Sequence, residues 1–241
     1  MLKPVVTFFS LLFILSTSNA QLQNKAVIFY NRGIEYKNKK MIVEAIQSFK
    51  AAINANKKYD SAYMQLGELY MMSGKYNDAL AIYKKAISIN PKITEALINA
   101  GKIYRYYRSN TDSALYFFKT ATVYSTANED VFNNISWCYN TKMKYDSAIV
   151  YGIKALEVNN NYRTAYGELA YAYRQSGRFA DAIIQFKKNL SISIVDLAFL
   201  YSGYCYVELK DKTGAMQQYE ELLKINTKMA VALKKAIDKM E

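Results

Sequence analysis

Residues 63–91 read YMQLGELYMMSGKYNDALAIYKKAISINP. Tyr63, Gly67 and Tyr70 stand four and three residues apart, the spacing that puts side chains on one face of an α-helix. Ser73-Gly74-Lys75 then breaks the pattern. Gly74 suits the left-handed residue with which many helices end. Asp78 stands where a second helix would begin, and negative charge is favoured in a first turn. Ala79, Tyr83 and Ala86 repeat the four-and-three spacing, and Asn90-Pro91 closes it, because proline cannot continue a helix. The stretch predicts two helices joined by a tight turn.

Working outward, the same signs recur along the chain. Tyr stands at 36, 70, 104, 139, 173 and 206, in steps of 34, 34, 35, 34 and 33. Ala follows at 45, 79, 114, 148, 182 and 215. Three residues before each Tyr comes a small residue: Gly33, Gly67, Gly101, Ser136, Ala170 and Gly203. Four after each Ala comes Phe49, Tyr83, Phe118, Gly152, Phe186 or Tyr219, and seven after it Ala52, Ala86, Ala121, Ala155, Asn189 or Leu222. The extra residue in the 35-step lies between Tyr104 and Ala114, in the turn at Arg108-Ser109-Asn110. The short step falls around Ser191–Ser193.

Small residues let two helix axes approach, and the aromatic column fills the space between units. One hairpin cannot bury its apolar face alone, so the units must stack. Six units are expected, over about residues 26–59, 60–93, 94–128, 129–162, 163–195 and 196–229. A charged-faced capping helix follows at 230–241, with Ala230, Leu233 and Ile237 inward. Ser136, Gly152, Asn189 and Leu222 depart from their columns, and local looseness is expected there.

These columns resemble the tetratricopeptide repeat. The resemblance implies an all-α fold, a right-handed α-solenoid of six helix-turn-helix hairpins plus the C-terminal cap. It also implies that the first helices line a groove that takes a protein or peptide. On this register the groove-facing positions are rich in aromatic residues and arginine in the later units: Trp137, Tyr171, Tyr201 and Tyr204, with Arg105 and Arg174 beside them. Such residues anchor interfaces. The carboxylate clamp of some family members needs a lysine early in a first helix. Here those positions carry Tyr30, Met64, Ile98, Asn133, Gly167 and Leu200, so that clamp is not expected.

Composition narrows the function. His is absent, which removes His-based nucleophile pairs, proton shuttles and metal ligands. No phosphate-cradling loop or metal-spaced cluster appears, so no catalytic residue, cofactor or metal is expected. The formal net charge is +12, but the cations are scattered with no long run. A protein or peptide partner is expected rather than nucleic acid. The alternative is an anionic cell-envelope polymer bound by the basic surface.

The N-terminus reads as an export signal over residues 1–20: Lys3, an apolar run from Val5 to Leu15, then small residues at Ser18 and Ala20. The run is too short for the ~20 residues that a span needs. The mature chain, residues 21–241, is therefore expected in the periplasm or secreted, with no stable membrane span. Cys138 and Cys205 occupy equivalent positions two units apart, on the order of 20 Å at ordinary helix spacings, too far for a disulfide.

Overall fold

A computed structural model describes residues 3–125 and 128–240, with side chains described from residue 21 onward. Among the described residues the regular structure is α-helical throughout, in thirteen helices. They are α1 (Lys3–Asn38), α2 (Ile42–Ala55), α3 (Asp60–Met72), α4 (Tyr76–Ile89), α5 (Thr94–Tyr106), α6 (Thr111–Tyr124) and α7 (Glu129–Thr141). Then come α8 (Tyr145–Val158), α9 (Arg163–Gln175), α10 (Phe179–Ile192), α11 (Asp196–Glu208), α12 (Lys212–Ile225) and α13 (Thr227–Ile237). The side chains of the expected export signal lie outside the described residues, although α1 runs on through its backbone. Among the described residues no helix is long and apolar enough to cross a membrane.

The chain forms two compact units, Met1–Arg108 and Ser109–Glu241. In the first, α1 to α5 pack on one another in chain order. In the second, α6 to α13 do the same, and α7 also meets α9 while α11 meets α13. This stacking of antiparallel helices is the solenoid arrangement that the periodicity requires.

The columns explain the packing. Ala45, Ala79, Ala114, Ala148, Ala182 and Ala215 have no exposed surface. Gly33 and Gly67 make room for rings. A Cβ on Gly33 would lie 2.6 Å from the Phe49 ring, and one on Gly67 would lie 2.6 Å from the Tyr83 ring. At Gly203 the corresponding space is taken by Leu233, so α13 supplies the side chain that covers the sixth hairpin. The cap thus begins at Thr227, three residues earlier than the sequence suggests, and turns Ala230, Leu233 and Ile237 inward.

The turns share one design. Lys40, Gly74, Ser109, Met143, Gly177 and Lys210 all adopt positive φ, between 47° and 76°. The column tyrosine's carbonyl accepts from the N–H five residues on in Tyr36–Met41, Tyr70–Lys75, Tyr139–Lys144, Tyr173–Arg178 and Tyr206–Asp211, at 2.8–2.9 Å. This satisfies a carbonyl that the helix end would leave orphaned. The turn between α5 and α6 spans Tyr107–Asn110, one residue longer than its counterparts, and the connection from α10 to α11 is one residue shorter than its own. Asp78, Asp146 and Asp181 lie in the first turns of α4, α8 and α10.

A second recurring bond joins the two ends of a unit. Asn90, Asn159 and Asn226 end α4, α8 and α12, and each donates from Nδ2 to an acid thirty residues earlier: Asp60 (3.1 Å), Glu129 (3.2 Å) and Asp196 (2.7 Å).

The expected looseness at Ser136 and Gly152 is not found. Ser136 Oγ donates to the Ala148 carbonyl at 2.8 Å. The space left by the missing ring at Gly152 is closed by Leu169 of α9, 3.3 Å from where a Cβ would stand. Both cysteines are free and buried, and burial pushes the Cys205 thiol up to about 11.

Candidate functional site

The first helices carry the expected groove positions, and the two units pack them differently. In the first unit, Lys37 near the end of α1 reaches the next first helix. Its Nζ donates to Gln65 Oε1 at 2.8 Å and to Glu68 Oε2 at 2.6 Å. Three of the expected groove positions are thereby joined. Arg105 belongs to this unit, where its guanidinium lies 4.6 Å from the ring centre of its neighbour Tyr106.

In the second unit, α7, α9 and α11 bring Trp137, Tyr171 and Tyr201 to one cavity of about 430 Å³. That is within the range of small-ligand pockets. Arg174 does not line it but lies 4.8 Å from the centre of the Tyr201 ring and fixes that wall. Tyr204 is half-buried and does not line this cavity. It packs against the terminal core of Leu200, Leu233 and Ile237, which is an anchoring role inside the fold.

The cavity exists because two columns break side by side. Gly167 stands where the other units carry Tyr30, Met64, Ile98, Asn133 or Leu200, so α9 has no side chain at that point. Asn189 of α10 replaces alanine and is only 4% exposed. It is not loosely held: its Nδ2 donates to the Arg163 carbonyl at 2.9 Å. Asn140 of α7, 5% exposed, donates to both the Glu168 carbonyl (3.0 Å) and its carboxylate (2.9 Å). The floor is Phe186 and Asn189, and Arg163 and Leu197 line the cavity from α9 and α11. The roles of Gly167, Asn189 and Phe186 escape a reading of groove positions alone, though the broken columns mark the first two.

Among the described residues no group of three or more His, Cys, Asp or Glu could hold a metal ion. The surface offers aromatic faces, amide groups and paired charges, which are binding chemistry.

Stacked hairpins with tyrosine, alanine and glycine in register, presenting side chains from successive first helices, define a helical-repeat protein. Models of the tetratricopeptide repeat match residues 26–59, 61–93, 164–193 and 197–226, and the chain belongs to that family. Solved structures share the fold. One described as YrrB, a tetratricopeptide protein with an unusual peptide-binding site, is 23% identical with a TM-score of 0.71, covering 78% of this chain and 97% of its own. PilW, described as a widely conserved type IV pilus biogenesis factor, is 20% identical with a TM-score of 0.66, covering 83% and 93%. A tetratricopeptide repeat protein from Parabacteroides merdae is 19% identical with a TM-score of 0.68, covering 90% and 93%. No curated protein sequence matches the chain.

Proposed function

We propose that this chain is a non-catalytic scaffold that binds a peptide segment of a partner protein along the first helices of its second unit. The observation that supports this reading is the convergence of Trp137, Tyr171 and Tyr201, from three successive first helices, on one cavity. Rings spaced along parallel helices suit an extended peptide, whose alternate side chains need separate footholds. Aromatic anchors also lose little conformational entropy on binding. The solved YrrB structure is described as having a peptide-binding site, and the shared fold makes the same mode available here.

The test uses peptides selected on the immobilised chain from a random display library. Trp137→Ala with Tyr171→Ala should weaken the selected peptides by at least about a hundredfold, the scale of an interface hot spot. Unchanged affinity with intact helicity refutes the groove. A steep fall of affinity with salt would instead favour an anionic polymer held by the basic surface.

The scaffold is, in this reading, exported. The apolar run from Val5 to Leu15 and the small residues at Ser18 and Ala20 support this. N-terminal sequencing of the protein recovered from its native cells should begin at Gln21. A chain that begins at Met1 and stays in the cytoplasm overturns it.

A further inference from the structure

We infer that Gly167 decides what the groove accepts: a bulky apolar side chain of the partner peptide, aliphatic or aromatic, that fills the place left open on α9. This rests on the groove reading above and names the residue that sets its selectivity.

The chain's own packing does not call for this glycine. Gly74 and Gly177 hold positive φ at turns. Gly33, Gly67 and Gly203 stand against a ring or against Leu233, which leave a Cβ no room. Gly167 lies inside α9 without a positive φ. Among the described residues, a Cβ there would meet only Asn189 Nδ2, at the ordinary contact distance of 3.4 Å. Glycine inside a helix weakens it. The open place that it leaves is part of the cavity wall.

The other hairpins show what fits there. At the same position they carry Tyr30, Met64, Ile98 and Leu200, with Asn133 the polar exception. Tyr30 packs on the rings of Phe49 and Tyr59, with centres 5.6 Å and 5.1 Å away. Leu200 is buried in the terminal core with Leu222. Phe186 and Asn189 are the fifth hairpin's counterparts of Phe49 and Leu222, and both line the cavity. The surface that meets a bulky apolar side chain in the first and sixth hairpins therefore borders an open space in the fifth. Tyr171, Leu197 and Tyr201 extend that wall. The amides of Asn140 and Asn189 are engaged through Nδ2, and their Oδ1 atoms are closed off, so neither calls for a polar occupant. A partner side chain inserted beside Gly167 completes the column that α9 interrupts and removes apolar surface from water.

The test compares Gly167→Ala and Gly167→Leu with the native chain, using peptides selected on the native chain from a random display library. Gly167→Ala should raise the Tm of the free chain by about 2–4 °C, the helix-propensity difference for a chain of this size. The selected peptides should share a leucine, isoleucine, methionine or aromatic residue. Truncating that residue to alanine should weaken binding to the native chain by at least about tenfold, the scale of burying one such side chain. Gly167→Leu should weaken the untruncated peptide by a similar factor, and Gly167→Ala by about three- to fourfold. On Gly167→Leu the peptide truncation should cost less than about twofold, because both side chains claim one place. A glycine with a structural role only would not produce that coupling. Gly167→Ala keeps the test alive if Gly167→Leu does not fold. A lower Tm for Gly167→Ala, unchanged affinity in both variants, independent effects of the two changes, or a charged or small residue at the coupled peptide position overturns the inference.

The two readings fail separately. If selected peptides need Trp137 and Tyr171 but bind both Gly167 variants as tightly as the native chain, the groove stands and this selectivity falls. If they tolerate Trp137→Ala with Tyr171→Ala yet show the coupling at Gly167, the place on α9 stands and the groove falls. A library that yields no binding peptide removes both.

Discussion

The two units solve one geometric problem with opposite outcomes. In both, a residue near the end of one first helix reaches the next first helix: Lys37 to Gln65 and Glu68 in the first unit, Asn140 to Glu168 in the second. Lysine has only donors, and each of its partners accepts, with Glu68 still half open to solvent. Asparagine brings an acceptor with its donor, and that acceptor stays unpaired. The same register carries a charged bridge in one place and a buried amide in the other. The identity of one side chain at a fixed position therefore separates a half-exposed ion pair from a buried amide bond.

Substitutions at the close-approach positions test how far this contrast extends into the packing. Gly67→Ala in the first unit should destabilise by about 1–3 kcal/mol, because the Tyr83 ring is pressed against α3 and is fully buried. Gly152→Ala in the second should change stability by less than about 1 kcal/mol. Its nearest neighbours are 3.3 Å away, and the gain in helix propensity offsets the crowding. Denaturant unfolding of the two variants measures both. Equal losses would mean that Gly152 is as tightly covered as Gly67.

A smaller effect is expected at the bridge itself. Lys37→Met should cost about 0.5–1 kcal/mol, since Glu68 is 45% exposed and solvent screens the pair. The loss should shrink in high salt, and a loss that ignores salt would point to packing by the lysine stem instead. The smallest effect concerns the turns, where both units strain alike. Met143 at φ 55° and Lys40 at φ 59° hold a conformation that glycine adopts freely. Met143→Gly and Lys40→Gly should each stabilise by roughly 0.5 kcal/mol, the relief of the left-handed residue less the added freedom of the unfolded chain. Thermal unfolding that moves downward for either would show that the side chain contributes more than its backbone costs.

The repeat columns were legible because they record packing, and packing at fixed intervals forces the same residue types to recur. Tyr36 through Tyr206 and Ala45 through Ala215 are visible in the chain for that reason. The aromatic positions Trp137, Tyr171 and Tyr201 followed from the same register. Tyr204 stands on the same register but packs against the core that α13 completes, because the register describes a unit without saying what its last neighbour will cover. Asn189 stands out in the sequence as a broken column that suggests looseness, and Gly167 only as a position without the clamp lysine. Only the fold places them on adjoining helices, where two small failures of pattern make one cavity. The bonds from Asn90, Asn159 and Asn226 to acids thirty residues earlier were also out of reach, since each requires a finished hairpin before its partners meet.

Asn226 has a further consequence. It ends α12, begins α13 by accepting from the Met229 N–H, and holds Asp196. Elsewhere three or four residues separate successive helices, whereas here a single residue does. Terminal helices ordinarily fray ahead of the rest. This one has no slack in which to swing, so its amide protons should exchange with solvent in step with those of α12, as one cooperative block.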